Sequence, residues 1–249
     1  MKLRLDKLLV ELGLAPTRER AQALILAGRV LVNEQKLDKP GHAVPADAAI
    51  RLLGSDLRYV SRGGLKLEAA LAHWHIDLRG RFCLDVGAST GGFTDCMLQH
   101  GAERVLAIDT GYGQIAQSLR DDPRVTLMER TNARLLSPGD LPPGITFLAM
   151  DVSFISATLV LPPVLQAVAG GFALRETLEA VLLIKPQFEA GREHVGKGGI
   201  VRDPAAHQLA IDRVRACVEE NAGAQIDIID SPITGTEGNR EFLLHALWR

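Results

Sequence analysis

Apolar residues recur along the first part of the chain at the spacing of short helices. Leu5, Leu8, Leu9 and Leu12 stand at i, i+3, i+4 and i+7, which lines one helical face, and Gly13 suits the stop. Pro16 and Thr17 open a second helix with Thr17 as N-cap, and Ala21, Leu24, Ile25 and Gly28 repeat the spacing. Val30-Leu31-Val32 reads as a strand and Asn33-Glu34-Gln35 as a polar turn, with further short strands to about Leu53. Two helices and a small sheet predict an α+β domain over residues 1–58, small but able to fold.

From about residue 61 the pattern changes, and residues 59–249 are expected to form a second domain. Phe82 to Val86, Val105 to Asp109, Val125 to Met128, Ile145 to Asp151 and Val181 to Lys185 are apolar runs of strand length, mostly separated by helical stretches. That alternation predicts an α/β fold, a Rossmann-like doubly wound sheet of buried parallel strands. Such sheets bind ligands at the carboxyl ends of their strands. Asp85, Asp109, Asp151 and Lys185 each end or closely follow an apolar run, so polar chemistry collects at that edge.

The loop Asp85-Val86-Gly87-Ala88-Ser89-Thr90-Gly91-Gly92-Phe93 joins the first of these strands to a helix. Its glycines permit tight turning and close backbone approach to a ligand. The spacing is not the G-x-G-x-x-G of dinucleotide binders. Asp109 ends the second strand, where an acidic side chain accepts hydrogen bonds from ribose hydroxyls. Taken alone, the loop is equally compatible with a structural turn or a nicotinamide-cofactor site.

Composition narrows the class. Of 249 residues, 47% are apolar and 23% charged, a globular balance, and no apolar run approaches the roughly 18–20 residues that span a bilayer. The start, Met1-Lys2-Leu3-Arg4-Leu5-Asp6, is too charged for a signal peptide, so a cytoplasmic location is expected. Cys83, Cys96 and Cys217 are widely spaced and read as reduced thiols, and the seven histidines show no metal-ligand spacing. Residues 1–60 carry ten Lys/Arg and seven Asp/Glu, whereas the remainder carries 18 and 23. A basic head on an acidic body suggests a polyanion partner for the head. With the apolar helix faces paired, Lys2, Lys7, Arg18, Arg20 and Arg29 are left for solvent, where they can neutralise phosphates in a salt-dependent way. An ordinary solvated face has the same pattern.

Several segments carry a resemblance. Arg4-Leu5-Asp6-Lys7-Leu8-Leu9, Thr17-Arg18-Glu19-Arg20-Ala21-Gln22 and Ala27-Gly28-Arg29-Val30-Leu31-Val32-Asn33 together resemble the RNA-binding module of the ribosomal-protein S-four type. That resemblance implies RNA contacts at Arg4, Lys7, Arg18, Arg20 and Arg29. The Gly-rich loop resembles the first motif of methyltransferases, which implies S-adenosylmethionine as cofactor, held by Asp85, Gly87, Ser89, Gly91, Gly92, Phe93, Asp109 and Asp151. Asn132, after the third strand, stands where methyltransferases often contact adenosine; a loop-capping role fits it nearly as well.

The methyl acceptor is read from the fourth strand, which ends Asp151-Val152-Ser153-Phe154. It lacks the prolines of the turn that holds exocyclic amines, and no cysteine nucleophile for pyrimidine C5 lies near. A hydroxyl remains. A ribose 2′-hydroxyl is a poor nucleophile at neutral pH, and a positioned base helps by roughly 10²–10⁴-fold. Lys185 is the candidate base. A lysine serves as base only when burial or a neighbouring cation favours its neutral form, and Lys66 is the candidate neighbour, with Asp151 and Glu241 as orienting carboxylates.

Lys66, Asp151, Lys185 and Glu241 fall in the order of the Lys-Asp-Lys-Glu tetrad of FtsJ-like ribose 2′-O-methyltransferases. Tyr59 to Leu67, Asp151 to Ser156, Lys185 to Glu189, Val195 to Asp203 and Ser231 to Phe242 resemble, more narrowly, the TlyA family, historically called hemolysin A. The resemblance spans nearly the whole chain. It implies 2′-O-methylation of cytidines in ribosomal RNA of one or both subunits, with those four residues catalytic. The stretch from Glu189 to Asp203, rich in glycine, is expected to be mobile and either to clamp RNA through Arg192 and Lys197 or to be a plain surface loop. Three other classes compete: a membrane-active hemolysin, a non-catalytic ribosome-assembly factor and a nicotinamide-dependent oxidoreductase.

Overall fold

In a computed structural model, which describes residues 2–15, 17–53, 58–170, 177–235 and 237–249, the chain divides into two units, 1–58 and 59–249. The first unit runs β1 (Lys2–Arg4), α1 (Leu5–Glu11), α2 (Arg18–Leu26), β2 (Val30–Val32), β3 (Gln35–Lys36), β4 (Ala43–Pro45) and β5 (Ile50–Leu52). β1 pairs with β4, and β3-β2-β5 form a second small sheet. Leu5, Leu8, Leu9, Ala21, Leu24, Ile25 and Val30 make its core. Leu12 departs from the predicted face. α1 stops at Glu11, so Leu12 is the C-cap and is half exposed. Gly13 follows at φ +68°, the left-handed turn that ends a helix. Thr17 caps α2, its hydroxyl accepting from the Arg20 N–H; Pro16 lies outside the described residues.

The second unit runs α3 (Gly63–His73), β6 (Phe82–Val86), α4 (Gly92–Gln99), β7 (Arg104–Ile108), α5 (Gln117–Arg120), β8 (Val125–Met128), β9 (Ile145–Met150), α6 (Ala157–Ala169), β10 (Leu178–Ile184), α7 (Pro186–Glu189), α8 (Pro204–Glu220), β11 (Ala224–Asp230) and β12 (Phe242–Trp248). Seven strands form one sheet in the order β11-β12-β10-β9-β6-β7-β8. The strands from β8 to β10 are parallel neighbours, as the apolar runs predict. β12 is antiparallel to both β10 and β11, a reversed strand inserted near the end of the sheet. A dinucleotide-binding sheet ends instead in a simple 4-5-6 series.

Alternate residues of the buried strands feed two cores, because successive strand side chains point to opposite faces. Leu84, Leu148, Met150 and Leu182 pack with α6 and α8. Cys83, Phe147, Ala149 and Val181 pack with α3 and α4. α6 contains Pro162 and Pro163, and Pro162 has no N–H for the Thr158 carbonyl. The Cys217 thiol donates to that carbonyl oxygen at 3.7 Å instead. At its start, α6 is held by Glu189, which accepts from the Ala157 N–H at 2.7 Å and the Ser156 hydroxyl at 2.5 Å.

The topology collects the functional edge. β6, β7, β9 and β10 all point their carboxyl ends the same way, which places Asp109, Asp151 and Lys185 just beyond them. Because β12 runs the other way, with Phe242 opposite Ile184, its preceding residue Glu241 arrives at that edge too.

Candidate active site

β6 and β9 are parallel neighbours although β7 and β8 lie between them in the chain, so the connections diverge at this point. A crevice opens at such a switch point. Val86 stands opposite Met150, which brings Gly87 against the backbone of Asp151. A Cβ on Gly87 would collide with the Asp151 carbonyl oxygen, and its φ of +88° also favours glycine. Ser89 is left-handed at φ +49°, and its N–H donates to Asp109 Oδ2 at 2.7 Å. The Gly111 N–H donates to Asp109 Oδ1 at 2.6 Å. Asp109 therefore locks the Gly-rich loop to the turn after β7. Gly91, at φ +93°, precedes α4, and Gly92 packs on Ser61 and Gly64. Phe93 lines the cleft from a mostly buried position.

Asp85 behaves differently from the residues around it. It is fully buried, with the Thr94 hydroxyl donating to Oδ2 at 2.6 Å. Burial pushes its carboxyl up to about 7, the Asp151 and Asp109 charges add to the rise, and the Thr94 hydrogen bond opposes it. The cleft lining does not include it. Asn132 is exposed and outside the cleft lining as well. Its side-chain oxygen accepts from the Arg134 N–H, the loop-capping alternative.

A cleft of about 710 Å³ opens beside the Gly-rich loop. Lys66, Asp151, Lys185 and Glu241 all line it. They stand as two ion pairs: Lys66 Nζ lies 2.6 Å from Glu241 Oε2, and Lys185 Nζ lies 2.5 Å from Asp151 Oδ1. Both lysines are about nine-tenths buried, so each ammonium gives up water for a carboxylate partner. α3 supplies Lys66, and the ends of β9, β10 and the start of β12 supply the others.

Neighbours that the sequence did not single out for a role complete the lining. Ser153 Oγ accepts from Lys185 Nζ at 2.7 Å. Phe154, at φ +64°, is 91% exposed, and its ring centroid lies 5.5 Å from that of Phe188. A non-glycine residue held at positive φ stores strain, which concentrates at functional sites. Gln187 also lines the cleft, and its buried Oε1 has no hydrogen-bond partner among the described residues. Ser153, Phe154 and Gln187 sit within two or three residues of Asp151 and Lys185, and that adjacency was the signal available.

The stretch from Glu189 to Asp203 differs from its expectation. Its glycines mark turns, with Gly191, Gly198 and Gly199 at positive φ, and the segment is tied down. Buried Asn239 accepts from the Val201 N–H and donates to the Gly199 carbonyl, both at 2.9 Å. The Arg213 guanidinium donates to the Glu189 carbonyl oxygen.

In the first unit, the basic residues are more organised than a solvated face. Asp6 is fully buried and accepts from Arg4, Arg18 and Gln22 at 2.9–3.0 Å. These donors, Arg4 first, hold its carboxyl far below the usual range. Arg4 and Arg18 remain nearly half exposed, and so are fixed rather than left free for solvent as expected of Arg18. Lys7 is exposed, whereas Arg20 and Arg29 are partly buried, with Arg29 donating to the Leu53 carbonyl.

Among the described residues no cluster of His, Cys, Asp or Glu fits a metal ion, and no helix is long and apolar enough to cross a membrane.

Comparison with known proteins adds to this geometry. The FtsJ-like methyltransferase family matches residues 59–247, and the S4 domain matches residues 3–50. The 16S/23S rRNA (cytidine-2'-O)-methyltransferase TlyA of Mycobacterium tuberculosis is 43% identical over 97% of this chain and 88% of its own. A solved structure of a candidate hemolysin from Streptococcus thermophilus is 42% identical, with a TM-score of 0.74 over 99% of this chain and 88% of that one. An S-adenosylmethionine-dependent methyltransferase from Mesorhizobium loti shares the fold alone, at 14% identity and a TM-score of 0.51 over 73% of this chain and 96% of that one.

Proposed function

The chain belongs to the FtsJ-like methyltransferase family, and on that premise we propose that it methylates a ribose 2′-hydroxyl of cytidine in ribosomal RNA, with S-adenosylmethionine as methyl donor. The observation that carries this reading is the pair of buried lysine–carboxylate contacts, Lys66 with Glu241 and Lys185 with Asp151, on one cleft beside the Gly-rich loop.

The cleft fits the cofactor. Gly87 leaves no room for a side chain. The N–H groups of Gly87, Ala88, Ser89 and Gly91 are already donated within the protein, so a cofactor carboxylate would be held at the start of α4, where backbone N–H groups favour an anion. Asp109 lies outside the cleft lining, in a small hollow that shares Ala88 and Ser89 with it, and its oxygens already accept from Ser89 and Gly111; ribose hydroxyls would use their remaining lone pairs. When bound, S-adenosylmethionine supplies an electrophilic methyl group on a sulfonium. In its neutral form Lys185 Nζ would accept the 2′-hydroxyl proton, and Asp151, which pairs with the ammonium form in this structure, would balance the charge so created. Lys66, neutralised by Glu241, holds the acceptor oxygen beside it. Alignment of the reacting atoms supplies the rest of the acceleration.

Phe154 and Phe188 offer an aromatic surface beside Lys185 on which the base of a flipped-out nucleotide stacks. The first unit docks on structured RNA through Arg4, Lys7, Arg18, Arg20 and Arg29, contacts that position rather than specify. Acting on ribosomal RNA, the protein would work in the cytoplasm.

The competing classes fare less well. The reversed β12 and the loop spacing disfavour a nicotinamide cofactor. A scaffold without catalysis has no need of two buried ion pairs facing a cleft. The hemolysin name attached to a relative finds no spanning helix among the described residues. Methyl transfer from labelled S-adenosylmethionine to ribosomal RNA, with the label located on ribose or base, tests the proposal.

A further inference from the structure

Lys185 is held from two sides, and the second of these has a consequence for the reaction. Its Nζ lies 2.5 Å from Asp151 Oδ1 and donates to Ser153 Oγ at 2.7 Å. A neutral lysine amine has four tetrahedral positions at nitrogen: Cε, two N–H bonds and one lone pair. Its nitrogen can take a proton only along the lone pair.

The hydrogen bond to Ser153 assigns one N–H. Asp151 Oδ1 lies close but accepts no hydrogen bond among the described residues, so its negative charge turns the lone pair away without fixing an N–H by itself. With Ser153 accepting, the lone pair is excluded from the Ser153 direction and from the side of the Asp151 charge, and one direction remains. Asp151, Ser153 and Lys185 all line the same cleft. We propose that Ser153 is a positioning residue that fixes the lone-pair direction of Lys185 for proton abstraction. This inference rests on the reading of Lys185 as the base.

Other roles for Ser153 are less well supported. It is exposed, so it fills no core space. It caps no helix, since α6 is capped by Ser156. Its hydroxyl is set by the short turn between Asp151 and the strained Phe154, which brings the Lys185 acceptor and its paired carboxylate from one segment.

The test is single-turnover and steady-state methyl transfer by the full chain carrying Ser153→Ala or Ser153→Thr, with Lys185→Ala in parallel. Ser153→Ala is expected to lower kcat by about tenfold or more, as loss of orientation does, with KM for RNA, cofactor affinity and Tm unchanged. Ser153→Thr keeps the hydroxyl, and its added methyl has room at an exposed site; it is expected to restore most of the rate. A kcat for Ser153→Ala within twofold of the unsubstituted chain, while Lys185→Ala abolishes transfer, overturns the role of Ser153 and leaves Lys185 standing as base. A Ser153→Ala loss shared with KM or Tm, or not rescued by threonine, also overturns it. Full activity in Lys185→Ala would instead overturn the reading of Lys185 itself.

Discussion

Lys66 Nζ lies 2.6 Å from a carboxylate oxygen of Glu241, and the glutamate side chain is only 2% exposed. Two buried charges this close depend on one another, because removing one leaves the other without water or partner. Glu241→Ala is therefore expected to cost about 3–5 kcal/mol of stability, read from the denaturant midpoint. The double variant Lys66→Ala/Glu241→Ala should recover part of that loss while remaining without methyl-transfer activity. Equal destabilisation in the single and double variants would show that the pair is not what the stability loss reflects.

Gly87 tests the cofactor loop. Gly87→Ala meets the Asp151 carbonyl and a φ of +88°, so cofactor affinity should fall at least about tenfold, with roughly 1–3 kcal/mol of stability lost to strain. Gly139 is the control: its φ is +95°, but a Cβ there faces open space. Gly139→Ala should lose stability without losing cofactor affinity in a calorimetric titration.

Asp85 gives a pH dependence opposite to that of an ion-paired carboxylate. Its carboxyl is pushed up to about 7 from an ordinary 3.8, chiefly by burial. Below about pH 4 it is protonated in both folded and unfolded chains, and its contribution to stability is fully present. As pH rises through about 7 the folded carboxyl must ionise in a buried site, and that contribution is lost. Asp85→Asn does not ionise, so its Tm relative to the unsubstituted chain should climb from pH 4 to about 7 and level off above. A constant difference across that window would contradict the burial argument.

In the first unit, Asp6 fixes Arg4 and Arg18 with their guanidiniums partly in solvent. Each of Arg4→Ala and Arg18→Ala should weaken RNA binding at all sequences and reduce the salt slope by about 1. Binding isotherms across a salt series check this. An unchanged slope would make the two arginines a structural brace for Asp6 alone.

Much of this was legible in sequence for identifiable reasons. The buried parallel strands β6, β7, β9 and β10 announce themselves as apolar runs, and the polar residues after β7, β9 and β10 mark the ligand edge; β8, read as buried from its apolar run, is half-buried or exposed because it closes the sheet's edge. β11 was harder to read, because Ala224–Asp230 is a mostly exposed or half-buried strand at the sheet edge with broken register. The reversal of β12 leaves no local pattern at all, yet it delivers Glu241. The contacts of Ser153 with Lys185 and of Asn239 with the Gly-rich stretch are tertiary, and composition pointed the wrong way for the second, since its glycines read as mobility. Arg18 reads as a free surface charge because its partner Asp6 sits one helix away.

The most direct test is transfer of labelled methyl from S-adenosylmethionine to purified ribosomal subunits lacking the modification, comparing the unsubstituted chain with Lys185→Ala. Alkali-resistant label on a cytidine ribose, lost in Lys185→Ala while cofactor binding persists, is the expected result. Label on a base, or ribose label undiminished in Lys185→Ala, would contradict the assignment.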